Sequence, residues 1–275
     1  MCRTMWTRMV KLLPPYRNQP TVAVIRLHGV IGGGSRLSGG ALNDAGLAPV
    51  IERAFAKGKP VAVALSINSP GGSPVQSSLI AARIRRLADE KDIPVYAFCE
   101  DVAASGGYWL ATAGDSIFVD PSSIVGSIGV ISASFGLDQF IERHGIERRV
   151  HTAGEDKSML DPFRPERAED VERLKSLQAT IHANFIDQVK SRRGQRLIRD
   201  DIFTGEIWAG QAAVDLGLAD GIGHLIPKMK EFFGDKTRFT VAQPRRSLFQ
   251  RLGGPGVEDA IGAVEDRLTW ARFGQ

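Results

Sequence analysis

Between Thr21 and Val119 short apolar runs alternate with segments of helical spacing, and few architectures accept that order. TVAVIRLHG reads as a buried strand entering the glycine-rich loop IGGGSRLSGG, and Leu42 to Lys57 has helical spacing until Gly58-Lys59-Pro60 stops it. VAVALSIN is a second strand, ending in SPGG. Pro74 to Asp89 is a second helix, with Leu79, Ile80, Ile84 and Leu87 on one face and Arg83, Arg85 and Arg86 toward solvent. PVYAFCE is a third strand. SIFVD, IGVIS and ERRVHTA read as further short strands, with a helix from Phe135 to His144 between the last two. This alternation predicts an α/β fold with mostly parallel strands, whose functional groups gather past the strand C-termini. SPGG and the turn after PVYAFCE both follow strand ends, so two glycine-rich turns can face one crevice. The run Gly32 to Gly34 carries neither GxxxxGK[ST] nor GxGxxG, and reads as a flap or tight turn rather than a phosphate cradle.

The third strand leads into DVAASGGYWLATAG, Asp101 to Gly114, which sets Ser105 between small residues and two glycines. Small neighbours let a backbone or substrate come close, and Tyr108 to Ala113 reads as the first turns of an apolar helix. A serine at a helix N-terminus meets unpaired N–H groups and the positive end of the dipole, which favour a developing oxyanion. The same placement suits an ordinary N-cap, and this stretch alone does not separate the two roles.

The 275 residues are 43% hydrophobic and 24% charged, enough for a large core and too apolar for a disordered chain. A net charge of +4 with acids interleaved among the bases, as from Glu166 to Glu172, gives no basic stripe, so no nucleic-acid partner is expected. Cys2 and Cys99 form no CxxC and no Cys/His cluster, which points to a reducing compartment with neither a disulfide framework nor a zinc site. No metal, nucleotide or other cofactor is implied. Residues 1–20 hold Arg3, Arg8, Lys11 and Arg17 among Trp6 and aliphatic side chains. No apolar run there reaches the roughly 20 residues that span a bilayer, nor the uninterrupted core of a secretory signal. A basic amphipathic segment can instead rest on an anionic membrane surface, or pack on a neighbouring subunit. The expected location is cytoplasmic or peripherally membrane-associated.

After Thr152 the polar, turn-rich AGEDKSMLDPFRPE precedes a long helix from Glu166 to about Arg193, with Val171, Leu174, Leu177, Ile181, Phe185 and Val189 at helical spacing. DIFTGEIWAGQAAVDLGLADGIG gives a short helix ended by Gly217 and a return toward the core. Val257, Ile261, Val264 and Leu268, behind a Gly-Gly-Pro-Gly hinge, mark an appended helix that packs on a partner or closes a rim. The organisation is thus a basic segment 1–20, a main domain 21–232 that includes the long helix, and an extension 233–275.

A hydroxyl is a poor nucleophile without a neighbouring base. Of His28, His144, His151, His182 and His224, the candidates are His144 and His151, although both read as a helix end and a strand residue. Lys157 is the alternative, followed by Met159, Leu160, Pro162 and Phe163; a lysine serves as base when neutral, and desolvation favours that state. A loop lysine paired with Glu155, Asp156 or Asp161 has the same local sequence.

NSPGG after a buried strand, then ASGGYWLA, then GSIGVI, then AGEDKS…DPF together resemble the signal peptide peptidase A family of serine peptidases, from about Thr21 to Leu225. The resemblance implies a crotonase-like and Clp-protease-like spiral of β-β-α units with an appended helical region. It also implies a Ser/Lys dyad: Ser105 as nucleophile, Lys157 as general base, Ser127 orienting that lysine, and Gly72, with Gly71 beside it, and Gly106 as oxyanion donors. The implied activity is hydrolysis of short, extended, largely apolar peptides, such as remnants of cleaved signal peptides. The implied assembly is a homo-oligomeric ring or dome with active sites shared between protomers. Family members commonly carry an N-terminal membrane anchor, which this chain does not show. A crotonase-type acyl-CoA enzyme on the same fold, needing no Ser105, and a non-catalytic scaffold of the family are the rival readings.

Overall fold

A computed structural model describes residues 19–32, 42–154, 157–242, 264 and 267–274. The basic segment up to residue 18, Gly33 and Gly34, Glu155, Asp156, Val257 and Ile261 lie outside the described residues.

Strands β1 (Thr21–His28), β2 (Ala62–Ser69) and β3 (Val95–Ala104) run parallel, with Val22 opposite Ala62 and Val63 opposite Val95. Both faces of the sheet are covered, which is why these strands are apolar with little alternation. Ala23, Ile25, Leu27, Val63, Leu65 and Ile67 belong to the main core. Helix α1 (Asp44–Ala56) is capped by Asn43, whose side chain accepts the Gly46 N–H at 2.8 Å, and buries Val50, Ile51, Ala54 and Phe55. Helix α2 (Pro74–Lys91) is capped by Ser73 and buries Ile80, Ile84 and Leu87. Leu79, expected on the same face, is 46% exposed. It sits one residue, about 100°, away from the stripe that Ile80, Ile84 and Leu87 define.

The third strand is shared between two neighbours. Tyr96 to Cys99 pair with β4 (Ser116–Val119), whereas Val102 to Ala104 pair with β5 (Ile124–Gly126). Between these halves the register against β2 shifts, Ile67 facing Cys99 but Ser69 facing Ala103. Such an irregularity bends a strand locally, and here it carries Ala104 to the side of Gly126. Helix α3 (Gly106–Ala111) follows and is wholly buried. Its Tyr108 hydroxyl donates to the Leu218 carbonyl at 2.8 Å, and its Trp109 stacks on Phe185 with ring centroids 4.9 Å apart.

Helix α4 (Asp138–Arg143) is shorter than the helix expected from Phe135 to His144. Helix α5 (Ala168–Arg193) docks through its C-terminal half, where Phe185 and Val189 are buried and Arg193 reaches Asp220 at 2.8 Å. Its earlier turns stand away from the core, leaving Leu177 56% exposed. The strands expected at IGVIS and ERRVHTA do not form; the strand falls earlier, at β5, because these segments have no neighbouring ladder within one chain. Large exposed apolar side chains instead gather there, at Ile131, Phe135, Phe140 and Ile146.

Strand β6 (Ile207–Ala209) runs antiparallel to β5, α6 (Gly210–Asp215) follows it, and β7 (Gly221–Ile222) pairs with β4. Helix α7 (Leu225–Phe233) sets Met229 against Val22, Val24, Phe98 and Phe118 on the other sheet face. Strand β8 (Arg238–Ala242) then pairs in parallel with β1, Thr21 opposite Arg238. The sheet therefore runs past the domain end expected at 232: Gly234 ends a helix, and the chain re-enters the sheet before leaving it at Ala242. The result is the expected α/β spiral, with strand order β6-β5-β3-β2-β1-β8, β4 pairing with β3 and β7 pairing with β4.

Candidate active site

Ser105 occupies the sharp turn between β3 and α3, with φ 52° and ψ −122°. A non-glycine residue in that region costs on the order of 1–3 kcal/mol, and such strain concentrates at functional turns. The turn is held by the Ser105 amide donating to the Gly126 carbonyl at 2.8 Å and the Trp109 amide donating to the Ser105 carbonyl at 3.0 Å. Although Ser105 stands at the N-cap position, its side chain makes no capping hydrogen bond. The cap explanation for this serine therefore falls away, and its hydroxyl makes no hydrogen bond among the described residues.

Gly71 and Gly72 follow β2 with φ 106° and 140°, a conformation favouring glycine. A Cβ on Gly71 would lie 2.8 Å from the Ser105 Cβ and 2.9 Å from the Gly106 nitrogen. Gly72 packs against the backbone of Ile31, which accepts from Ser73 at 2.7 Å and donates to Gly71 at 2.8 Å. Gly106 opens α3, so its N–H has no intrahelical acceptor. A Cβ on Gly106 would come within 3.4 Å of the Gly72 nitrogen. The two glycine-rich turns do face one crevice, and two backbone amides meet beside the serine.

Ser127 follows β5 with φ 51°, its amide donating to the Glu206 carbonyl at 2.7 Å. Ser105, Ser127 and Gly72 line a single groove of about 510 Å³, together with Pro70, Pro74 and the segment Gly129 to Ile131, which joins no strand. His182, on α5, lines the same groove and bonds the Ile128 carbonyl through Nε2 at 3.0 Å. Its position is absent from the sequence reading because α5 had to be docked before one of its turns could be assigned to this face. His144 and His151, the histidines singled out by position in sequence, do not line it.

Lys157 is not brought to Ser105 within one chain. It is exposed, on the turn 157–160, and is absent from the groove lining. The turn is well anchored nevertheless. Asp161, with its side chain 4% exposed, accepts the Phe163 amide at 3.1 Å and pairs with Arg148 at 2.9 Å; the Phe163 amide and then Arg148 hold its carboxyl below the usual range. The pairing partner of Asp161 is therefore Arg148 rather than Lys157.

A second serine, histidine and acid meet elsewhere, on β1, β2 and β3. Ser66 Oγ lies 2.7 Å from His28 Nε2 and donates to Glu100 at 2.5 Å, and His28 and then Ser66 hold the Glu100 carboxyl low. Because that hydroxyl proton already goes to the carboxylate, no histidine is placed to remove it. Burial pushes the Cys99 thiol up to about 12, so it is no nucleophile at neutral pH. Among the described residues no group of three or more His, Cys, Asp and Glu is placed to hold a metal. No described helix is long and apolar enough to cross a membrane.

The chain matches the model of peptidase family S49 over residues 88–231. It is 48% identical over 270 residues to a Brucella melitensis protein named Na(+)/H(+) antiporter NhaA, covering 92% of this chain and 37% of that protein. It is 32% identical over 273 residues to the chloroplastic serine protease SPPA of Arabidopsis thaliana, covering 90% of this chain and 39% of that one. With protease 4 of Salmonella typhi it shares 33% identity over 207 residues, 74% of this chain and 32% of that one. The chain thus spans less than two-fifths of each of these relatives. The antiporter name describes a much longer protein and assigns no transport to the stretch matched.

Proposed function

Because the chain belongs to peptidase family S49, we propose that it is a serine endopeptidase in which Ser105 and Lys157 act as nucleophile and general base. The observation that carries this reading is the Ser105 turn, where a strained serine that makes no capping hydrogen bond adjoins the amides of Gly72 and Gly106. In the first step the Ser105 Oγ attacks the scissile carbonyl while the neutral Lys157 amine takes its proton. The tetrahedral oxyanion is met by the two amides. The lysine ammonium then gives its proton to the leaving amine, and water releases the acyl-enzyme by the same route. Ser127 orients the lysine. No metal or nucleotide enters the reaction.

The substrates we propose are short, extended, largely apolar peptides, such as signal-peptide remnants. Pro70, Pro74, Val130 and Ile131 give the groove apolar walls, and the strand-free segment from Gly129 offers backbone groups that an extended peptide can pair with. The base comes from a neighbouring subunit. Lys157 stands away from its own groove, on an arm that exposes Phe135 and Phe140, so a head-to-tail contact that closes into a ring would deliver it to the next Ser105. Peripheral membrane contact through the basic segment 1–20 belongs to the same proposal.

His182 supports a second reading, an intramolecular Ser/His pair, because it shares the groove with Ser105. Mixing separates the two. Ser105→Ala and Lys157→Ala proteins, each at least ~10⁴-fold less active than wild type, should regain part of that activity when unfolded and reassembled together. Co-assembled oligomers that stay fully inactive remove the shared site, and an active Lys157→Ala moves the base to His182.

A further inference from the structure

Thr269, Arg272 and Phe273 line the same groove as Ser105, Ser127 and Gly72. They belong to the short helical stretch 267–271 and the turn after it, closed by the Phe273 amide donating to the Trp270 carbonyl at 2.9 Å. The positions are spaced i, i+3 and i+4, so a single face of this element looks into the groove. The element is thinly covered, with Leu268 66% exposed. The chain leaves the sheet at β8, beside β1, whereas Ser105 and Ser127 adjoin β3 and β5. The 21 residues 243–263 can extend on the order of 70 Å, whereas four strand spacings amount to roughly 19 Å. The tether therefore does not force residues 267–274 to this place.

We infer that residues 267–274 obstruct the groove, and that a peptide must displace them in order to reach Ser105. This rests on reading the groove as the peptide site. A helical turn cannot present an extended backbone to Ser105, so the segment obstructs rather than being cut. A thinly packed element opens readily, and because it is tethered it competes at an effective concentration of about millimolar. Peptides that bind along Gly129 to Ile131 in extended form can displace it; compact or very short ones cannot. The substrate class is therefore extended apolar peptide.

The test uses the full chain with Arg272→Ala and Phe273→Ala combined, in a Ser105→Ala background, so that binding is measured without chemistry. Fluorescence polarisation with a labelled apolar octapeptide should give a Kd about tenfold lower than for the parent, as expected when a blocked state is relieved. A synthetic peptide spanning 264–275, added in trans, should reverse the gain. With Ser105 restored, KM should fall by the same factor while kcat stays within twofold. Thermal melting shows whether the variant is folded; Thr269→Ala with Phe273→Ala is the alternative pair. Unchanged or weaker octapeptide binding in folded variants overturns the inference. Failure of the dyad appears separately, as cleavage by Lys157→Ala with the binding gain intact.

Discussion

The amide of Ser105 donates to the carbonyl of Gly126 at 2.8 Å, which ties the turn carrying one groove serine to the strand carrying the other. Ser127 follows directly and gives its own amide to Glu206 at 2.7 Å. Both serines are held near φ +50° by this ladder, Ser105 at 52° and Ser127 at 51°. The hand-over of β3 creates the relationship: β4 ends at Val119 opposite Cys99, and β5 takes its place from Val102 onward, which sets Ala104 opposite Gly126. Placing reactive groups on the ends of paired strands fixes them more tightly than loops alone could.

Gly72 gives the first prediction. At φ 140° a side chain is strained, and a Cβ there would meet the Ile31 nitrogen at 2.8 Å and the Ile31 carbonyl more closely still. Gly72→Ala must shift the turn from its place against Ile31, which on the proposed mechanism displaces one oxyanion donor. We expect kcat to fall on the order of 10²–10³-fold, the cost of one oxyanion donor, with about 1–3 kcal/mol of stability lost to strain. Steady-state kinetics with thermal melting checks this. A folded variant with kcat within threefold of wild type would take Gly72 out of the oxyanion site.

Much of this geometry was legible in the sequence, for identifiable reasons. Strands β1 to β3 and helices α1, α2 and α5 are long periodic segments, whose pattern reports the element, although on the expected stripe of α5 only Phe185 and Val189 are buried. Ser105, Gly71 and Gly72 sit where strand ends and glycines coincide. What was not legible depends on pairing between distant segments. The short strands β6, β7 and β8 are defined by partners rather than by their own composition, and Arg238 to Ala242 joins β1 from the far end of the chain. IGVIS has strand composition but lacks a neighbour. His182 gave no local signal, since its role follows from where Phe185 and Val189 dock.

The pH profile is the second prediction. On the proposed mechanism the general base must be unprotonated to accept the Ser105 proton, so acylation should fall as pH is lowered. His182→Gln should leave that acidic limb in place, because the glutamine amide can still donate to the Ile128 carbonyl that His182 holds at 3.0 Å. Single-turnover acylation rates across pH decide it. A limb abolished by His182→Gln would make the histidine the base and return Lys157 to the surface.

The last prediction concerns how the lysine is presented. Leu160, three residues after Lys157, has φ 56°, and its amide donates to Asp170 Oδ2 at 3.4 Å. Asp170 is 4% exposed, and its other oxygen has no hydrogen-bond partner among the described residues, so a buried carboxyl group stands at the root of the turn. Its third position in α5 also suits the helix dipole, an effect worth about 0.3–1 kcal/mol. The two roles separate by substitution. Asp170→Ala removes the acceptor and leaves a partly buried amide unpaired, whereas Asp170→Asn keeps an oxygen for Leu160 while removing the charge. If Asp170 positions Lys157, Asp170→Ala should lower kcat about tenfold with KM unchanged, and Asp170→Asn should restore most of it. If the carboxylate serves only the helix, both variants should lose similar stability and retain kcat. Kinetics of the two variants beside their melting temperatures distinguishes these outcomes, and equal kcat in Ala, Asn and wild type would end the positioning role.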